Sequence, residues 1–165
     1  MNHYDIHTLR QRADEAKQET SKFLKKLKQR PPKNLDQQMA KLHKEVFDKT
    51  DCLQCANCCT TTGPLFTRQD IKRISKAFKM KESNFEATYL KVDEDHDLVL
   101  QSVPCTFLGY DNRCSIYDIR PKACREFPHT NRKKIYQINA LTEKNVAICP
   151  AAFQIVVKMK SQLKV

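Results

Sequence analysis

Residues 52–59 read CLQCANCC, four cysteines in eight positions with two of them adjacent. No other stretch limits the fold as strongly. It has little apolar surface besides its thiols and no run of periodic hydrophobic residues with which to enter a core. What it supplies is sulfur. Cys52, Cys55 and Cys58 form C-x2-C-x2-C, and two intervening residues let the backbone curl so that successive thiolates converge on one small object. Buried cysteine can act as a small hydrophobe, but that account suits an isolated thiol and not four in eight positions.

The remaining cysteines are Cys105, Cys114, Cys124 and Cys149, eight in a chain of 165 residues. The opening residues, MNHYDIHTLRQR, are polar and carry no apolar run behind them, so a secretory signal peptide and a bilayer span are not expected. The expected compartment is therefore the cytoplasm, where thiols stay reduced and dense cysteine argues for metal or redox chemistry before disulfides. Bacterial-type ferredoxins use C-x2-C-x2-C for three corners of a cubane, with a remote fourth cysteine followed by proline. Cys149-Pro150 is such a pair. Zinc remains the alternative, although the chain has no second C-x2-C pair outside the cluster. Eight thiols suffice for two four-thiolate centres. One partition groups Cys52, Cys55, Cys58 and Cys149, and sets Cys59, Cys105, Cys114 and Cys124 around the other. On an extended segment Cys58 and Cys59 would point to opposite sides and so serve different centres.

Around the cysteines the chain reads as mostly helical. Ile6, Leu9, Ala13, Ala16, Thr20, Phe23 and Leu27 recur at spacings of three and four, a narrow apolar seam that Pro31-Pro32 ends. Asn34, with Gln37 as its capping-box partner, opens a second helix through Leu35, Met39, Leu42 and Val46. The expected organisation is a helical extension over 1–50, arranged as a hairpin, and a cysteine-cluster domain over 51–165. Within the latter, Thr67 and Asp70 cap a helix bearing Ile71, Ile74 and Phe78, and Ser83 and Glu86 repeat the box. Asp97–Val103 and KKIYQINAL are strand candidates, and Cys105 and Cys114 flank a turn at Gly109 to Asn112. IYDIRPKACREFP should be a helical turn broken at Pro121, then irregular loop. Pro150 opens the last helix. The fold class is α+β, mostly helical, with a few short strands and irregular cysteine-rich loops organised around metal.

CLQCANCC, then PCTFLGYDNRCSIYDIRPKACREFP, then CP resembles the YkgJ-type cysteine-cluster family, also described as zinc- or iron-chelating or as iron–sulfur-cluster-containing proteins. The resemblance spans about residues 51–152 and finds a counterpart for all eight cysteines. It implies a metal site with Cys52, Cys55, Cys58, Cys59, Cys105, Cys114, Cys124 and Cys149 as ligands, and names no reaction. One departure is Ala56, where the family often has glycine after the second cysteine. Flagellin lysine methylases have a similar cysteine arrangement, but the chain lacks a glycine-rich cofactor-binding loop.

The net charge is +11, and it is spread: residues 1–50 carry 12 Lys/Arg against 7 Asp/Glu, and residues 51–165 carry 18 against 12. Arg120 and Arg125 lie among the later cysteines, where a guanidinium would offset thiolate charge and donate to sulfur; the competing reading pairs them with Asp118 or Glu126. His129 is the histidine nearest the clusters in sequence and the one candidate to replace a cysteine; His3, His7, His43 and His96 earn no role. No nucleophile–histidine–acid set, P-loop or dinucleotide fingerprint is present. The leading expectation is an iron–sulfur protein, 4Fe-4S in type. A structural zinc module for protein or nucleic-acid interaction and a redox or cluster-dependent enzyme are the alternatives. The expected partner is a redox or other protein, with nucleic acid not favoured and no membrane.

Overall fold

The computed structural model describes residues 6–164; His3 lies outside them. In chain order the elements are α1 (Ile6–Glu15), α2 (Lys17–Gln29), α3 (Leu35–Phe47), α4 (Cys52–Cys55), α5 (Asn57–Thr61), α6 (Arg68–Ala77), α7 (Glu82–Tyr89), β1 (Leu90–Val92), β2 (Leu98–Leu100), α8 (Lys122–Glu126), α9 (Asn139–Val146) and α10 (Pro150–Gln162). Single 3-10 turns cover Tyr117–Ile119 and Ile135–Ile138. The protein is mostly helical with one two-stranded sheet among the described residues. It divides into two compact units, Met1–Cys55 with Pro128–Val165, and Ala56–Phe127. Helix α10, grouped by sequence with residues 51–165, belongs to the first.

In the first unit the heptad-like seam becomes a helical core. Leu9 and Ala13 of α1, Leu24 and Leu27 of α2, and Leu35, Met39, Leu42 and Val46 of α3 are buried with Ile155, Val156 and Met159 of α10. Burying a side chain such as Leu27 or Met39 is worth about 2 kcal/mol, so a handful of them outweighs the weak intrinsic preference of a lysine-rich helix. α3 packs chiefly on α10, and α2 on α9 and the Ile135–Ile138 turn. The seam is interrupted at Ala16, where a turn separates α1 from α2 while Thr20 N–H still donates to the Ala16 carbonyl at 2.9 Å. Asn34 is the residue preceding α3, but its side chain makes no capping bond. The Gln38 amide donates to its Oδ1 at 2.6 Å, so the box with Gln37 does not form. KKIYQINAL is not a strand. Lys134 has a left-handed φ of 53°, and Ile135 and Ile138, three apart, suit the 3-10 repeat, which buries Ile135.

The second unit has a smaller core of Phe66, Ile71, Ile74, Phe85, Leu90, Leu100, Phe107 and Ile116. Phe78 meets Phe85, Tyr89 and Phe107 edge-on at 5.9–6.0 Å between ring centroids. The Thr67–Asp70 capping box forms as the spacing predicts. The Ser83–Glu86 box does not: α7 starts at Glu82, so Ser83 is inside it. Leu90, the C-cap that ends α7, turns to φ −114°, ψ 156° and starts β1. β1 and β2 pair antiparallel, Leu90 opposite Leu100 and Val92 opposite Leu98. Leu65 bridges to Val99, with Phe66 N–H donating to Leu98 at 2.8 Å and Leu100 N–H to Pro64 at 3.1 Å. That approach requires Gly63, because a Cβ there would stand 2.8 Å from the Leu100 carbonyl oxygen. After Pro121 the chain forms α8 and not an irregular loop.

Candidate metal centre

None of the eight cysteines is in a disulfide. The motif crosses the boundary between the units: Cys52 and Cys55 end the first, and Cys58 and Cys59 begin the second. The backbone turns at Ala56, which is buried with φ 46° and ψ 10°. This left-handed conformation explains why glycine suits the position, since a Cβ costs about 1–2 kcal/mol there. Cys58 and Cys59 sit on α5 and not on an extended segment. Their sulfurs are 4.0 Å apart, so the expectation that they point to opposite sides is corrected by the helix that carries them.

In the second unit Cys59, Cys105, Cys114 and Cys124 act on one another electrostatically. Cys105 N–H donates to the Cys59 carbonyl at 2.8 Å, tying the loop after β2 to α5. Cys114 returns to Leu108 in an isolated antiparallel bridge, through a turn closed by Gly109 N–H to Arg113 at 2.7 Å, so Cys105 and Cys114 do flank a hairpin-like turn. Cys124 rides on α8. Burial pushes the Cys124 thiol up to about 12, and the charges of Cys59, Cys105 and Cys114 add to the rise. Burial likewise raises Cys105 and Cys114, and Cys59 acts on both. Cys59 goes the other way, to about 7, because the Cys58 thiol donates to it.

In the first unit the corresponding set is Cys52, Cys55 and Cys149. Burial lifts Cys149 to about 11, with Cys55 and Cys52 raising it further. Cys149 is the N-cap of α10 and its sulfur accepts from Ala152 N–H at 3.5 Å. The amides of Ala151 and Ala152 both pull its pKa back. The same local design recurs in the second unit. Amides of Phe107 and Leu108 pull the Cys105 pKa back, and that of Ile116 pulls the Cys114 pKa back, against the larger rise from burial; the Leu108 N–H also donates to the Cys105 carbonyl at 3.0 Å. In each case the donors lie two or three residues after the cysteine. An apolar thiol has no use for such donors; a thiolate does, because N–H groups aimed at sulfur stabilise its charge.

Arg120 and Arg125 are not paired with Asp118. The Arg120 guanidinium lies 3.8 Å over the Tyr117 ring and lowers the Cys114 and Cys124 pKa values by its charge. Arg125 donates to the Arg120 carbonyl at 2.7 Å. Glu126 meets Lys122 at 3.7 Å. His129 has a left-handed φ of 64° and lies in the first unit. His43 stacks on Phe47 at 4.3 Å, and its Nδ1 is 2.8 Å from Thr130 Oγ1.

Asp70 reads as a helix cap in the sequence, and its larger role emerges only in the fold. It is 1% exposed. It accepts from Thr67 N–H and hydroxyl at 3.0 and 2.7 Å, from Arg73 at 2.7 Å and from Lys122 N–H at 3.1 Å. Burial alone would raise its pKa, but these donors together hold it below the ordinary value. Arg73 also donates to the carbonyls of Ile119 and Arg120 at 3.2 and 3.0 Å. The pair thus pins the entry to α8, and with it Cys124, to α6. Only Thr67-x-x-Asp70 is visible in one dimension; the bond to Lys122 spans 52 positions.

Residues 51–149 match the family described as "CxxCxxCC: Putative zinc- or iron-chelating domain". The chain belongs to this family. No solved structure matches it. As a CxxCxxCC protein it presents sulfur donors that suit zinc and iron, both of which take thiolate readily. Among the described residues, no group of three or more His, Cys, Asp or Glu side chains stands where it could hold a metal ion. Among the described residues no helix is long and apolar enough to cross a membrane.

Proposed function

We propose that the protein holds metal through cysteine thiolates at two centres, with iron–sulfur clusters, 4Fe-4S in type, as the resident group. Cys59, Cys105, Cys114 and Cys124 form one ligand set within the second unit; Cys52, Cys55 and Cys149 contribute to the other in the first. The observation that carries the reading is the Ala152 N–H that donates to Cys149 Sγ at 3.5 Å at the N-cap of α10; amides of Phe107, Leu108 and Ile116 lower the Cys105 and Cys114 pKa values in the same sense. Burial keeps these thiols protonated until a cation displaces the proton; the amides and Arg120 offset part of that cost, while Asp70 and Arg73 fix the chain from which Cys124 projects. The bound group would supply electron transfer or Lewis acidity, and C-x2-C-x2-C with a remote Cys-Pro favours iron–sulfur over zinc. The cytoplasm is the compartment that suits reduced thiols.

Anaerobic purification followed by metal and acid-labile sulfide analysis tests this. Iron and sulfide in equal amounts, with visible absorption, are expected. Stoichiometric zinc in a colourless, sulfide-free protein overturns the choice of iron–sulfur and leaves a structural zinc module. Absence of both metals after anaerobic reconstitution overturns the metal reading itself.

A further inference from the structure

Helix α2 buries Thr20, Leu24 and Leu27, and its opposite face is lysine. Lys17, Lys22, Lys25, Lys26 and Lys28 are all exposed. Residues 17–33 hold seven Lys/Arg and one acid, Glu19, a net +6, while residues 1–50 as a whole carry +5. The charge of this part of the sequence is therefore concentrated on one surface. Glu19 does not relieve it, because Lys160 of α10 takes its carboxylate at 2.6 Å. Among the described residues, none of the five lysines forms an ion pair.

An ordinary solvated helix face interleaves the two signs, as Lys44–Asp48 and Lys122–Glu126 do one turn apart. On α2, Lys22–Lys25, Lys22–Lys26 and Lys25–Lys28 are like-charge neighbours three or four apart, which destabilises the helix. A polyanion would reverse the sign of that term. The face also narrows the choice of polyanion. Among the described residues, no large exposed hydrophobic lies in 17–33, so there is no apolar ridge to enter a bilayer or to centre a protein interface. It has no exposed aromatic on which unpaired bases would stack. What remains is charge along a rigid rod about 20 Å long, suited to the dense, regular phosphates of a duplex.

We propose that the lysine face of α2 docks the phosphate backbone of double-stranded nucleic acid without reading bases. The docking is independent of the metal centres. The test is fluorescence anisotropy of the full chain with a labelled 20-base-pair DNA duplex of arbitrary sequence, from about 50 to 200 mM salt, where phosphate-driven binding weakens most steeply. A fourfold variant, Lys22→Gln, Lys25→Gln, Lys26→Gln and Lys28→Gln, is compared with a control of equal charge change in the second unit, Lys72→Gln, Lys76→Gln, Lys81→Gln and Lys91→Gln; circular dichroism verifies that both fold. The α2 variant should bind at least tenfold more weakly, with a log–log salt slope shallower by about 3 to 4, close to 0.9 for each phosphate that is no longer neutralised. The control should bind like the parent. Equal weakening by both variants would reduce the effect to net charge and overturn the proposal. So would absence of duplex binding at low salt, or capture by phosphatidylserine vesicles with none by duplex.

Discussion

The two units solve the same stability problem with different materials. Among the described residues, the first has sixteen buried members in its apolar cluster, drawn largely from helices whose hydrophobic residues repeat every three or four positions. The second has eight, and five of the eight cysteines. Where the first places Leu27 and Met39, the second places thiols that burial makes reluctant to ionise, and a buried carboxylate with four donors. The difference teaches that apolar burial sets the fold of one unit, while the other joins a smaller apolar core with polar tethers such as Asp70.

Metal removal should break the symmetry most severely. With chelator, amide exchange in residues 104–127 should approach that of an unfolded chain, while α1–α3 and α10 keep their protection. Metal binding free energy is folding free energy for loops that bury little apolar surface. Equal protection in both states would mean that the second core suffices by itself.

Single substitutions sharpen the contrast at a smaller scale. Met39→Ala removes a fully buried side chain from the first unit and should cost roughly 3 kcal/mol through a cavity. Asp70→Ala strips four donors of their acceptor in the second unit, at a similar cost of about 3 kcal/mol. Denaturant melts followed by exchange should place the weakening from Met39→Ala in α1–α3 and α10, and that from Asp70→Ala in α6 and α8. A uniform weakening in both variants would show one cooperative block.

A smaller effect is the pH profile of the metal-free protein. Cys124 and Cys149 stand at about 12 and about 11 against an ordinary 9.0, and Cys105 and Cys114 are raised too. Folding holds these protons, so the stability is complete below pH 9.0 and falls as pH climbs toward 11–12, when the unfolded chain has already ionised. Cys59 is lowered to about 7 and contributes the reverse, stability present above 9.0 and lost as pH falls through 7. The optimum of the metal-free second unit should therefore lie near pH 9, with a steeper alkaline fall than in the first unit, which has Cys149 as its raised thiol. Loaded with metal, the protein should fail in acid instead, because protons compete for the ligands. Urea melts at stepped pH, with and without metal, would separate the curves.

The smallest change is Ala56→Gly. Relief of the left-handed strain at φ 46° exceeds the added chain entropy, so stability should rise by about 0.5–1 kcal/mol in a thermal melt. A fall in stability would mean that the Ala56 methyl, 7% exposed, contributes more packing than strain.

Much of the first unit is legible in one dimension. Leu35, Met39, Leu42 and Val46 announce α3 because helical periodicity is a local property, and Thr67-x-x-Asp70 announces α6 because a capping box closes within four residues. The eight thiols and the departure at Ala56 are equally visible, being a matter of composition and spacing. KKIYQINAL misleads because strand and 3-10 patterns both use apolar residues a few positions apart, and only the left-handed turn at Lys134 and the burial of Ile135 decide between them. The pairing of Leu90 with Leu100 requires a partner that local propensity does not name. The reach of Asp70 to Lys122, the bond from the Cys105 amide to the Cys59 carbonyl and the burial that raises Cys124 belong to tertiary structure for one reason. Each depends on which distant residues the chain brings within a few ångströms, and electrostatic and hydrogen-bond energies depend on that distance and on burial, not on separation along the sequence.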